Sequence, residues 1–395
     1  MRLPLILVLP LLVLNVLVDW YICRAVRQRA KNKVWYRIAL CTSIALAVAF
    51  VIVIAAPKRG GADSGLSVLM WSLFAYMSIY MGKYIFVIFD LIGKIPCLFR
   101  RSRIKAVGTA GACVGVLVFV LMWWGTVNRF NIDVEEVVFA HNSLPQGFDG
   151  FRVLQVSDIH TGTFGNDTSY LHDVVERINS IRPDVVLFTG DIVNRRSSEL
   201  EPFVDVLKGI NAPYGVFSVL GNHDYGDYYN WPSDSAKNAD RSHLAELQKR
   251  MGWHLLNNRS VKLRCGLDSI VIIGVENIGD PPFPVYGDLD KAYPALDDSS
   301  FKILMSHNPA HWVDDIKDAP DKNIPLTLSG HTHAMQIELL GVSPAAFRYR
   351  TWGGMYADAD SAHHLYVNIG LGEVGFPARI GATPELTLFT LRKKQ

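Results

Sequence analysis

The sequence predicts an N-terminal bundle of transmembrane helices followed by an α/β domain of two packed mixed β-sheets flanked by helices. Three observations carry that expectation. The first is charge: the 395 residues hold 39 Lys and Arg against 37 Asp and Glu. Residues 1–124, however, hold 15 basic side chains, only three acids (Asp19, Asp63 and Asp90) and none of the 12 histidines. The remaining 271 residues carry 24 basic and 34 acidic groups, a net of −10, so the chain is two objects joined end to end. The second is hydropathy. Four apolar blocks succeed one another before residue 125, and a mean hydropathy of +0.18 excludes a disordered chain. The third is rhythm: beyond residue 130, strand-like runs alternate with helical ones and then continue without helices. That order implies an α/β layer with a second sheet packed on it.

The apolar blocks are residues 3–22, 38–56, 66–92 and 106–124. The second and fourth are each 19 residues without a charge, about what a helix needs to cross a hydrocarbon core of roughly 30 Å. A buried helix of a soluble core accounts for one such block, not for four in succession. Lys83 interrupts the third, where it either snorkels or faces a neighbouring helix. The first block reads as a retained helix, because Asp19-Trp20-Tyr21 stands at its end in place of a small-x-small cleavage site. Gly108, Gly111 and Gly115 permit close helix packing. The first loop carries Arg24, Arg27, Arg29, Lys31, Lys33 and Arg37, and the third Lys94, Arg100, Arg101, Arg103 and Lys105; the second has only Lys58 and Arg59. Basic loops stay in the cytoplasm, which places both termini and the large domain on the extracytoplasmic side of an inner or plasma membrane. Only Cys265 of the five cysteines lies in the large domain, which excludes a disulfide framework there.

The large part divides into a linker with a first strand, 125–150, and a domain, 151–395. Strands are expected at 151–156, 184–188, 215–220, 269–275, 301–305, 324–328, 365–369 and 386–390. Helices are expected at 169–181, 200–208 and 242–250. A polar, aromatic-spotted loop covers 225–240.

Five short segments at strand ends carry metal-type ligands: Asp158-x-His160, Gly190-Asp191, Gly221-Asn222-His223-Asp224, Ser306-His307-Asn308-Pro309 and Gly330-His331-Thr332-His333. Open α/β sheets place their sites just beyond the C-terminal ends of strands. An Asp-x-His or a Gly-Asp alone is as a rule a cap or a turn; all five in one chain are not a packing pattern. Residues two apart in an extended strand tip project to one side, so Asp158 with His160, and His331 with His333, are expected to reach one cleft. Mixed imidazole and carboxylate ligands suit two divalent ions of Mn, Fe or Zn rather than Ca. Such a pair is suited to phosphoryl chemistry.

These segments, in this order, resemble the signature of the calcineurin-like metallophosphoesterase family over residues 131–391, in its membrane-attached YkuE/YaeI-like branch. Asn368-Ile369-Gly370-Leu371-Gly372 and Pro384-Glu385-Leu386 resemble that branch too, although Ile369 stands where its pattern has Arg. The resemblance implies Asp158, His160, Asp191 and His333 around one metal. It implies Asp191, Asn222, His307 and His331 around the other, with Asp191 bridging. It further implies His223 beside the phosphate as general acid near its ordinary pKa, with Asp224 orienting it, and Asn194 as a further support. The implied activity is hydrolysis of a phosphomonoester, phosphodiester or pyrophosphate by a metal-bridging hydroxide.

Tyr225, Tyr228 and Trp231 in the following loop are candidate substrate contacts, and residues 347–356 a second wall. Of the other histidines, His172 and His243 are expected at the surface, His311 at the surface or in the core, and His363-His364 in a loop. The expected partners are the bilayer and a phosphoester substrate, lipid-linked or from the envelope. The alternatives are a UDP-2,3-diacylglucosamine pyrophosphatase, whose lipid A precursor is handled on the cytoplasmic side, and a metal-binding membrane sensor without catalysis. Transport is disfavoured by the few polar residues in the spans, and nucleic acid by the −10 domain.

Overall fold

A computed structural model describes residues 5–29, 32–55, 63–281, 283–293, 299–318 and 322–394. Of the groups named above, Lys31, Lys58 and Arg59 lie outside them. The chain forms two units, Met1–Val127 with Gly375–Ala378, and Asn128–Val374 with Arg379–Gln395.

The first unit contains α1 (Leu5–Arg29), α2 (Lys33–Ala55), α3 (Asp63–Lys94) and α4 (Lys105–Asn128). All four are long and apolar enough to cross a membrane. Their apolar side chains point outward, as Leu17 and Val116 do, while Asn15, Asp19, Ser78 and Asp90 are buried. This inversion of the soluble pattern is the one a hydrocarbon solvent imposes. Lys83 does not snorkel. Its Nζ lies 2.6 Å from the Asp19 carboxylate of α1, which also accepts from the Tyr80 hydroxyl at 2.6 Å. Asp90 is matched by Arg103 and by Lys94 at 3.2 Å. Gly82 of α3 meets Gly115 of α4 so closely that a Cβ on Gly115 would lie 2.7 Å from the Gly82 carbonyl oxygen. Glycine is therefore required for that approach.

The second unit runs β1 (Asp133–His141), β2 (Arg152–Val156), α5 (Ser169–Ile181), β3 (Val185–Phe188), α6 (Val204–Leu207), β4 (Val216–Ser218), α7 (Asp234–Arg250), β5 (His254–Leu255), β6 (Arg259–Cys265), β7 (Asp268–Gly274), α8 (Leu289–Ala292), β8 (Lys302–Met305), β9 (Leu326–Ser329), β10 (Gly354–Ala357), β11 (His364–Val367) and β12 (Glu385–Lys393). Two six-stranded sheets result, ordered β1-β12-β2-β3-β4-β5 and β10-β11-β9-β8-β7-β6. Both are mixed: β12 is antiparallel to β2, and the outer pairs β10–β11 and β6–β7 are antiparallel around a parallel centre.

Strand periodicity decides the layers. Val153, Val185 and Leu187 of the first sheet face Ile272, Ile303 and Leu328 of the second. Their sequence neighbours Leu154, Val186 and Phe188 face the other way, onto Leu171, Val174 and Ile178 of α5. On the far side Ile273 and Leu304 are covered by Trp312 and Ile316.

Two expectations are corrected. Helix α7 begins at Asp234, because the Ser233 hydroxyl accepts from the Ala236 N–H at 3.2 Å and caps it. The expected loop 225–240 therefore ends there. Strands β5, β6 and β10 were not foreseen. They lie at or next to sheet edges, where one side is solvated and the apolar run that marks a buried strand is missing.

Candidate metal centre

The candidate ligands lie where strands β2, β3, β4, β8 and β9 stop. Beyond them the chain turns sharply: Asp158, His160, Asp191, His331 and His333 all take a left-handed backbone, with φ between 50° and 76°. This corrects the extended tips expected from sequence. Such conformations are sparsely populated for residues with a Cβ, and the surrounding bonds hold them. The Asp158 N–H donates to the Gly190 carbonyl at 2.9 Å, and the Leu371 N–H to that of Ser157 at 3.0 Å. Gly330 has no alternative at its position, since a Cβ there would lie 2.2 Å from Asp158 Oδ2. A Cβ on Gly221 would lie 2.2 Å from Asp191 Oδ1.

Those turns bring the ligands into two groups, Asp158 with His160 and His333, and Asp191 with His307 and His331; within each, the ligand atoms lie within 4.8 Å of one another. In the first, His333 Nε2 is 3.1 Å from His160 Nε2 and 3.2 Å from Asp158 Oδ1. In the second, Asn222 Oδ1 is 2.8 Å from His331 Nδ1 and 3.2 Å from His307 Nε2. Asp191 Oδ2 joins the groups, at 3.1 Å from His307 Nε2 and 3.6 Å from His160 Nε2.

This donor set fits a pair of cations. Lone-pair atoms converge on common points, and the rings are oriented from behind. His307 Nδ1 donates to the Thr189 carbonyl at 2.8 Å, which turns its Nε2 towards Asp191. The His331 Nε2 edge meets the Tyr349 hydroxyl at 3.2 Å, leaving Nδ1 inward. Electrostatics agree. Burial opposes ionisation of Asp191, but the His307 imidazolium beside it outweighs burial and holds the carboxyl below the usual carboxylate range. Burial likewise opposes charge on His307, yet the Asp191 carboxylate raises it to about 9. The pocket thus pulls in positive charge, which a bound cation supplies in place of a proton.

His223 sits beside the groups, its ring 4.8 Å from that of His160. Its Nδ1 donates to the backbone carbonyl of Asn194 at 2.7 Å. Asn194 therefore supports it through the main chain, not the side chain. Burial pushes His223 down to about 4, so the expectation of an ordinary pKa is corrected: the ring is neutral near pH 7. Asp224 does not orient His223. Its carboxylate accepts the backbone N–H groups of Asp191 (2.8 Å), Ile192 (3.0 Å), Val193 (3.2 Å) and Gly221 (2.9 Å). It ties the Asp191 turn to the Asn222 turn, because those amides point inward with no strand to bond.

The three aromatic candidates separate. Tyr228 stacks on His223, with centroids 4.1 Å apart, and its hydroxyl accepts from Asn222 Nδ2 at 3.0 Å. Tyr225 is buried, stacked on Tyr286, with its hydroxyl between Glu276 and the Asn277 N–H. It is a core residue and not a substrate contact. Trp231 donates from Nε1 to the Gly226 carbonyl at 2.8 Å and is absorbed in its own loop.

Among the other histidines, His172 and His243 are exposed, and His364 opens β11 instead of lying in a loop. His311 is buried with Nδ1 2.8 Å from the Ser306 hydroxyl. Arg379, which no sequence signal marked, is fully buried. It donates to the carbonyls of Ile369 (3.0 Å), Gly372 and Ala382 (3.1 Å) and reaches His333 Nδ1 at 3.3 Å. An arginine so placed binds backbone oxygens, which no residue pattern discloses.

Residues 1–129 match the model of the transmembrane domain of probable calcineurin-like phosphoesterases, and residues 151–335 the calcineurin-like phosphoesterase model. The chain belongs to the calcineurin-like phosphoesterases. It is 31% identical over 270 residues to the metallophosphoesterase YkuE of Bacillus subtilis, covering 66% of this chain and 86% of that one. It is 30% identical to a transmembrane protein with metallophosphoesterase domain of Danio rerio, over 81% of this chain and 73% of that one. It is also 27% identical to the UDP-2,3-diacylglucosamine pyrophosphatase LpxG of Chlamydia trachomatis, over 68% of this chain and 92% of that one. The phosphoesterase fold, the metal-ligand groups and the transmembrane domain together make this a membrane-associated hydrolase of phosphoester bonds.

Proposed function

We propose that the protein is a membrane-anchored phosphohydrolase that uses two divalent metals to cleave a lipid-linked or envelope phosphoester. Residues 1–124 form the anchor, 125–150 the link and 151–395 the catalytic domain. The observation that carries the reading is the junction of two ligand groups through Asp191 Oδ2, with His223 alongside. Asp158, His160, Asp191 and His333 would hold one metal, and Asn222, His307 and His331 with Asp191 the other. When bound, the pair neutralises charge on the phosphoryl oxygens and supplies an activated water for in-line attack.

The chain's own residues prepare that chemistry. The Asn194 carbonyl fixes the His223 tautomer, so Nε2 is the nitrogen presented to substrate. A phosphate beside the ring raises its pKa, and the protonated ring then delivers its proton to the leaving oxygen. Tyr228 holds the Asn222 amide so that Oδ1 points inward, and it backs the His223 ring. Asp224 keeps the two ligand turns together.

The basic loops favour an extracytoplasmic domain and hence an envelope substrate. The likeness to LpxG favours a second reading, a UDP-2,3-diacylglucosamine pyrophosphatase, which needs a cytoplasmic domain. A compartment-sensitive reporter fused after Gln395 separates the two. An extracytoplasmic signal removes the nucleotide-linked precursor, and a cytoplasmic signal makes it the first substrate to assay. Hydrolysis itself is tested on the purified full chain with p-nitrophenyl phosphate and bis(p-nitrophenyl) phosphate, before and after chelation and return of Mn, Fe or Zn. Turnover of either ester that chelation leaves unchanged overturns the two-metal reading.

A further inference from the structure

The transmembrane unit contains a cavity of its own. It lies between α1 and α2 and has a volume of about 710 Å³. One end is lined by Arg24, Arg27 and Gln28, the other by Val16, Leu40, Ile44 and Ala47. From Gln28 to Val16 the helix rises by roughly 18 Å. The cavity is thus polar and cationic at one end and apolar over the rest, as an amphiphile is.

The charge pattern of the bundle identifies the missing partner. Both buried acids of the spans are matched: Asp19 by Lys83, and Asp90 by Lys94 and Arg103. Asp19 also lines the cavity, but Lys83 and the Tyr80 hydroxyl hold its carboxylate. Arg24 and Arg27 stand differently. Among the described residues neither is paired with a carboxylate. Arg24 lies over the Trp20 ring at 5.5 Å and Arg27 over the Tyr36 ring at 5.7 Å. They are three residues apart on α1 and so share one face. The aromatic rings flank the two guanidinium groups where they line the polar end of the cavity. Guanidinium pairs bind phosphate through parallel N–H···O bonds. Trp20 and Tyr36 are side chains that settle at the headgroup level of a bilayer.

We infer that the α1–α2 cavity binds an anionic phospholipid, with the headgroup phosphate on Arg24 and Arg27 and the first part of an acyl chain against Leu40, Ile44 and Ala47. Basic pockets between transmembrane helices bind anionic headgroups by the same physics. The apolar half selects a lipid over a soluble phosphate. The site lies within the helical unit and is independent of the metal ligands, so it stands or falls separately from the hydrolase reading.

The full chain in neutral detergent is titrated with phosphatidylglycerol or phosphatidylcholine of identical acyl chains, and bound lipid is counted by native mass spectrometry. One phosphatidylglycerol is expected to bind about thirtyfold tighter than phosphatidylcholine, the share of two arginines near an anionic group. Arg24→Gln/Arg27→Gln is expected to abolish that preference, and Arg24→Lys/Arg27→Lys to keep most of it. Ala47→Trp leaves both arginines in place and fills the apolar half; it is expected to weaken phosphatidylglycerol binding as strongly. Equal affinity for the two lipids, a preference that survives the double Gln variant, phosphatidylglycerol binding undiminished in Ala47→Trp, or displacement of the lipid by an equal concentration of glycerol phosphate overturns the assignment.

Discussion

His223 illustrates how much a single side chain owes to one backbone atom. The Asn194 carbonyl accepts a hydrogen bond from its Nδ1–H at 2.7 Å, so tautomer and ring orientation are set before substrate arrives. His223→Ala is expected to leave metal content unchanged and to lower kcat by roughly 10²–10⁴, the range of positioned acid–base help. Elemental analysis with steady-state kinetics checks both parts, and full activity in the variant removes the role. Asp224 works on the scaffold instead. Asp224→Asn exchanges an acceptor of four N–H bonds for an amide whose NH₂ group faces amide donors. It is expected to cost on the order of 2 kcal/mol and to weaken metal binding, read as a lower Tm and a higher metal Kd. Tyr349→Phe removes the hydroxyl behind His331 and is expected to weaken metal affinity about tenfold with little change in Tm.

At the scale of elements, the strand-to-loop turns decide the geometry. Gly221→Ala would force a methyl group to 2.2 Å from Asp191 Oδ1, so the carboxylate must leave the position between the two groups. Loss of one metal equivalent in elemental analysis is the expected result. The helical segment after β8 offers a separate test through His311, which burial lowers to about 4 from 6.5. Its folded pKa is depressed, so stability is full above about pH 6.5. As pH falls, the unfolded chain takes the proton first. The contribution is lost towards pH 4 and amounts to about 3 kcal/mol. His311→Gln is expected to flatten that stretch of the acid limb relative to wild type in urea unfolding followed across pH. The wild-type slope persisting in the variant would assign the acid sensitivity elsewhere.

For the whole molecule, six side chains from four strand ends meet where like-charged or lone-pair atoms would otherwise repel. A bound metal pair therefore stabilises the catalytic unit by mass action, about 2.7 kcal/mol at a hundredfold excess over Kd. Chelation is expected to lower the Tm of that unit, and returned metal to restore it. The transmembrane unit follows the opposite solvent rule. Its polar groups face inward and are matched, and its apolar groups face out.

The sequence by itself determined the two-part architecture, because apolar length, charge asymmetry and strand-helix rhythm are local quantities. It also determined the identity of the seven ligand candidates, since each follows a buried strand whose apolar run is visible. The tertiary structure decided the rest. Left-handed φ values place Asp158, His160, Asp191, His331 and His333, and no residue preference advertises them. Asp224 binding four amides, Tyr225 turning into the core and Arg379 reaching carbonyls behind His333 all depend on segments far apart in the chain. The edge strands β6 and β10 were hidden for a related reason: half of each is solvated, so its pattern is polar. Ligand identity is written in side-chain type, whereas orientation comes from backbone groups that every residue shares, and only the folded chain says which of them face the site.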